Sequence, residues 1–175
     1  MARRKKTNKD SLVEELQQGM TTPPKPKISI SAKRFTAKQK EFIEKSLADK
    51  TKIMFISGPA GSTKTYMAVY SALRLMGVDD DLDLMYVRTV IESADKGMGA
   101  LPGDLEEKFN PYMAPLIDKL DEMLPARAYA AKKDLMAKDR IQAMPINFLR
   151  GASWLIKIVI ADEAQNFTFK ELTTL

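Results

Sequence analysis

The chain contains neither cysteine nor histidine. The first absence excludes disulfides and thiolate metal sites; the second excludes histidine-based acid–base chemistry and histidine-ligated zinc. Hydrolytic chemistry here must rest on carboxylates, lysine and a hard cation. No apolar run approaches membrane-spanning length. The basic N-terminus lacks the apolar core of a secretion signal, so the expected location is the cytoplasm, with no membrane partner. What remains, at 175 residues, 45% hydrophobic and 29% charged, suits one ordinary domain with a real core.

The charge is unevenly placed. Residues 1–34 hold nine Lys/Arg against three Asp/Glu, whereas residues 35–175 hold 19 against 20. The first segment, with Arg3-Arg4-Lys5-Lys6 and Thr21-Thr22-Pro23-Pro24-Lys25-Pro26-Lys27, has little to bury. It reads as a disordered basic leader with one short helix around Ser11 to Gln18. Its basic block suits nonspecific contact with RNA or DNA phosphates, or serves only as a solvated leader. The domain proper is placed at 35–175.

The chemistry starts at Gly58-Pro59-Ala60-Gly61-Ser62-Thr63-Lys64-Thr65. An apolar run, Lys52 to Ser57, precedes it and is expected to be a strand; helical periodicity follows from about Thr65 to Met76. Strand, small-residue loop and helix form an apparatus for nucleotide phosphates. Loop N–H groups converge on phosphate oxygens, and the helix N-terminus adds partial positive charge. Lys64 supplies a full charge at the β- and γ-phosphates, and the Thr65 hydroxyl completes a Mg²⁺ shell. Thr63 stands where the usual pattern has its second glycine. A β-branched residue at positive φ is strained, so Thr63 is expected at negative φ, leaving Gly61 for any positive-φ turn.

A second apolar run, Leu155 to Ala161, delivers Asp162-Glu163 at its C-terminal end. In a phosphate-loop ATPase site Asp162 holds the Mg²⁺ shell through water, and Glu163 accepts a proton from the attacking water or orients it. Upstream, Thr36 and Gln39 have capping-box spacing at a helix start. Gln39 has two readings: it caps its own helix, or its amide reads adenine, donating to one ring nitrogen and accepting from the exocyclic amine.

Between the two sites, Gly77 is expected to cap the phosphate-loop helix, with Asp79, Asp80, Asp81 and Asp83 in a solvated acidic loop. Leu84 to Val87 reads as a strand ending at Arg88, and Thr89 to Gly103 as a long functional loop. Asp104 to Leu124 reads as helix broken by Pro111 and Pro115. Ala126 to Asp139 reads as a helix whose Lys132, Lys133, Lys138 and the following Arg140 face nucleic acid or solvent. Methionines 113, 123, 136 and 144 are expected to fill core gaps. Ile146 to Leu149 reads as a short strand, Trp154 as a core aromatic, and Thr168 to Glu171 as another capping box. Arg88 and Arg150 are each either a nucleic-acid or inter-subunit contact or a structural salt bridge.

With these residues in hand, the chain resembles the PhoH-like ATPases, a phosphate-loop family related to helicase motors. GPAGSTKT, LPGDLEEKFNPYMAPLIDKL (Leu101 to Leu120), FLRG (Phe148 to Gly151) and IADEAQN (Ile160 to Asn166) carry the likeness, the middle two most specifically. The resemblance implies an α/β fold of the P-loop NTPase type, with a mainly parallel sheet and helices on both faces. It also implies ATP and Mg²⁺ as ligands, hydrolysis with Lys64 and Glu163 as catalytic groups, RNA or single-stranded nucleic acid as partner, and a homo-oligomeric ring. It favours Gln39 as the adenine reader. Helicase-like sheets place a further strand between the phosphate-loop strand and the acidic strand. The chain stops some nine residues past Asn166 without one, which reads as C-terminal truncation and predicts unpaired strand edges. Two rival functions stay open: an ATP-binding regulatory module without turnover, and a nucleotide or small-molecule kinase. A fully non-enzymatic alternative is RNA binding through the leader.

Overall fold

Alternation along Asp83–Arg88 sends Leu84 and Tyr86 to one side and Met85 and Val87 to the other, and all four are buried. A strand covered on both faces belongs in the middle of a parallel sheet. In the computed structural model this strand, β1, is central: it pairs in parallel with β2 (Ile141–Pro145) on one edge and with β3 (Lys157–Asp162) on the other. The structure describes residues 28–31, 33–89, 105–125, 129–137, 139–149, 157–173 and 175, with side chains of 105–112 and 129–131 excepted. The expectations for Lys138, Arg150, Trp154, most of the 89–103 loop and residues 1–27 of the leader lie outside them.

The α/β parallel architecture is the expected one. Helices α1 (Ala37–Ser46), α2 (Lys64–Val78), α3 (Leu105–Met123), α4 (Tyr129–Ala137) and α5 (Phe169–Leu172) accompany the sheet. The larger core joins Val69, Leu73 and Met76 of α2, Leu116, Leu120 and Met123 of α3 and Leu135 of α4 to Leu84, Tyr86, Ile141 and Ile160 of the sheet. Each fully buried side chain of this kind contributes roughly 1.5–3 kcal/mol. The opposite face carries a smaller cluster of Met85, Val87, Ile146, Leu149 and Phe167, with Met144 packed against it. Two 3-10 turns, Ile146–Phe148 and Ala164–Asn166, frame that side.

Several elements differ from the sequence reading, each for a non-local reason. Residues 52–57 are not a strand: no described strand pairs with them, and Ile53 and Phe55 are 79% and 94% exposed. An extended segment becomes a strand only when a neighbour accepts its N–H groups. Helix α3 runs unbroken through Pro111 and Pro115, and its C-terminal half is anchored by three fully buried side chains. That burial offsets the lost donors. Helix α2 continues past Gly77 to Val78, with Asp79 as its C-cap. Residues 146–148 form a 3-10 turn, and the neighbouring strand is Ile141–Pro145.

Residues placed in the leader also join the domain. Ile28 and Ile30 pack against the larger core, the Ser31 N–H donates to the Met123 carbonyl at 2.7 Å, and the Lys33 ammonium lies 4.1 Å over the Tyr66 ring. The apolar alternation Ile28-Ser29-Ile30 is the sequence signal for this. Arg140 is a structural residue rather than part of a nucleic-acid face. It is 5% exposed, with Nε 3.3 Å from Asp83 Oδ1 and Nη2 donating to the carbonyls of Asp80 and Leu82. Lys132 is likewise committed, to Asp121. Among the described residues no helix is long and apolar enough to cross a membrane.

Candidate functional site

In parallel register Arg88 stands beside Asp162, and Tyr86 beside Ile160. These residues share the face that carries Leu84 and Ile158, the face on which α2 packs. The N-terminus of α2 therefore meets the C-terminal end of β3. The Thr65 hydroxyl donates to Asp162 Oδ1 at 2.9 Å, across 97 residues of chain. This contact joins the two motifs into one place, as the sequence reading required.

The phosphate loop folds back on itself. Ser62 N–H and Oγ both reach the Pro59 carbonyl, at 3.3 and 2.8 Å. Lys64 Nζ donates to the carbonyls of Gly58 and Pro59 at 2.9 and 2.8 Å. Phosphate oxygens are stronger acceptors for an ammonium than neutral carbonyls, so an anion competes well for this lysine. A Cβ on Gly58 would come within 3.0 Å of Ser62 Oγ. Gly61 takes the positive-φ turn, at +74°. Pro59, Ala60 and the rest of the loop are exposed up to Thr63.

Thr63 overturns one expectation: its φ is 63°, in the left-handed region, at the N-cap of α2. The loop needs that conformation where the usual pattern has glycine, and the β-branched side chain bears a strain of roughly 1–2 kcal/mol. A partner bond accompanies it. Gln39 Nε2 donates to Thr63 Oγ1 at 3.0 Å, while Gln39 Oε1 accepts from the Thr36 N–H at 2.9 Å. The capping role of Gln39 is thus realised, and its side chain also reaches the phosphate loop. Thr63→Val keeps the strain and loses the hydroxyl, so it should lower unfolding free energy by about 1 kcal/mol. Thr63→Gly relieves the strain but loses the bond and loosens the unfolded chain, leaving stability within about 0.5 kcal/mol of the parent. Urea denaturation of both variants checks this; a Val variant as stable as the parent would show that the Gln39 bond contributes nothing.

The acidic pair is divided by its backbone. Asp162 ends β3, half-buried, and accepts from Thr65 on one oxygen and from the Tyr86 hydroxyl on the other. Arg88 Nε lies 3.7 Å from the same Oδ2, which favours the salt-bridge reading of Arg88. Burial, followed by the hydrogen bond and charge of Asp162, pushes the Tyr86 phenol far above its ordinary range, so it stays a donor. Glu163 takes φ 54°, a left-handed residue that turns the chain into the following 3-10 turn, and its Oε2 accepts from Gln165 Nε2. Tyr86 went unnoticed in the sequence; the signal was its place two residues before Arg88 on one strand face.

The donor set fits a hard cation shared with a ligand. Among the described residues no cluster of three or more acidic side chains could hold a metal alone. Thr65 gives its one hydrogen to Asp162 and so keeps its lone pairs for a cation. One hydroxyl and one carboxylate match the protein's share of a Mg²⁺ shell whose other ligands are water and phosphate oxygens.

A family model described as PhoH-like protein matches residues 30–175. A PhoH-like protein of Synechocystis sp. is 34% identical over 137 residues, covering 78% of this chain and 40% of that protein. A PhoH-like protein of Bacillus subtilis is 35% identical over 133 residues, covering 76% and 40%. The Escherichia coli K12 protein PhoH is 32% identical over 122 residues, covering 69% and 33%. The chain spans about two-fifths of the length of the first two and a third of the last.

Proposed function

The chain belongs to the PhoH-like family, and from that membership we propose that it is a P-loop protein that binds ATP with Mg²⁺ and hydrolyses the β–γ phosphate bond. The observation that supports the reading is the 2.9 Å bond from Thr65 to Asp162, which brings the first turn of α2, directly after the loop, against the end of β3. Lys64 exchanges its two loop carbonyls for phosphate oxygens and stabilises the charge that develops there. Thr65 and Asp162 hold the cation, which when bound neutralises charge on the β- and γ-oxygens. Glu163 orients and deprotonates the attacking water. Gln39 reads the base: after its two observed bonds the amide retains one lone pair and one N–H, the pair that adenine matches.

An RNA or single-stranded partner and a ring assembly are secondary parts of this proposal. Arg88, Lys132 and Arg140 are paired with acidic groups of the chain itself; the nucleic-acid contact is assigned to Arg3-Arg4-Lys5-Lys6, the basic block of the leader.

Equilibrium ATP binding measured beside phosphate release, with Mg²⁺ and with chelator, tests the reading. Mg²⁺-dependent release from bound ATP is expected. Tight binding without release would make the protein a regulatory module, phosphate appearing on an added acceptor would make it a kinase, and absence of binding at millimolar ATP would remove the site altogether.

A further inference from the structure

Asp162 is held from two sides, and one of its holders has no part in the chemistry assigned so far. Thr65 occupies Oδ1 and faces the phosphate loop. On the other oxygen the Tyr86 hydroxyl donates, from a side chain 1% exposed on the central strand. Arg88 approaches the same oxygen only to 3.7 Å, a charge contact rather than a hydrogen bond. A carboxylate bound at one oxygen can still swing about its last side-chain torsion. Bound at both, it keeps one edge aimed at the loop. The tyrosine suits this work, because its ring is locked among core residues and its length is fixed.

We propose that Tyr86 is the positioning residue of the cation site: its buried hydroxyl holds Asp162 with Oδ1 turned to Thr65, so that cation affinity depends on a residue that touches neither cation nor nucleotide. This rests on the reading of Asp162 given above. Partners of this kind usually change metal affinity about 10–100-fold when removed.

The test is Tyr86→Phe, which removes one oxygen atom and keeps the ring. Binding of a fluorescent ATP analogue is titrated with Mg²⁺, and again in chelator. The half-saturating Mg²⁺ concentration should rise about 10-fold or more, with Mg²⁺-free binding within about twofold of the parent. Arg88→Gln, measured in the same way, should move the Mg²⁺ midpoint less than Tyr86→Phe does. An unchanged Mg²⁺ midpoint in folded Tyr86→Phe overturns the proposal while leaving the cation site standing, and an equal shift in both variants assigns the effect to charge and overturns it too. A parent protein whose analogue binding ignores Mg²⁺ sinks the Asp162 reading along with it. Tyrosine ring-carbon NMR of the unsubstituted protein gives a measurement that does not depend on a variant folding: the Tyr86 signal should move with Mg²⁺ and nucleotide but not with nucleotide and chelator, and a stationary signal counts against the proposal.

Discussion

Glu163→Gln should slow phosphate release by about 10²–10⁴-fold while ATP affinity stays within about twofold, because a positioned general base contributes that range and the amide keeps the carboxylate's shape. Three features make this a clean substitution. The left-handed backbone at Glu163 is equally available to glutamine, so the turn into the 3-10 segment is kept. The side chain is only half-buried and makes its hydrogen bond to the neighbouring Gln165, so little packing changes. Asp162 and Thr65, which hold the cation in the proposed scheme, are untouched. Single-turnover phosphate release beside equilibrium binding separates the two quantities. Turnover equal to that of the parent would remove Glu163 from the role of base.

Lys64→Ala acts at the opposite step. The ammonium is the one full positive charge in the loop from Gly58 to Thr65, and charge-assisted bonds to phosphate contribute about 1.5–3 kcal/mol each. ATP binding should weaken by about 10–100-fold and turnover should fall below detection. Lys64 also bonds the carbonyls of Gly58 and Pro59, so the alanine variant loosens the loop before any nucleotide arrives. Circular dichroism and a denaturation midpoint show whether the fold itself is kept, as expected for a half-buried residue whose hydrogen bonds run to loop carbonyls rather than to the core. Calorimetric titration with ATP then reads the affinity; an unaltered value would mean that the loop does not receive phosphates through this lysine.

The parts that were legible beforehand are those whose cause lies within a few residues. The capping boxes at Thr36 and Thr168 form as their spacing requires, each with both reciprocal bonds. Helix α2 begins at Lys64, directly after the small-residue loop, and Gly61 takes the positive φ. The acidic pair stands where an apolar run ends. Thr63 shows where local reasoning stops. Intrinsic preference argues for negative φ, but Thr63 takes the left-handed value where the loop enters α2, with the Gln39 bond beside it.

The chemical parts follow from the order of residues alone: a phosphate loop with Lys64 and Thr65, an acidic pair at Asp162-Glu163, and no thiol or imidazole to offer another route. Folding in three dimensions settles which strands pair, that Pro111 and Pro115 stay inside a continuous helix, that Arg140 is buried against Asp83, and that the Tyr86 hydroxyl donates to Asp162. The physical reason is range. Capping, helix starts and turn preferences are settled by neighbours in the chain, whereas a strand ladder, a buried ion pair or a second donor on a carboxylate exists only when distant segments supply the missing partner.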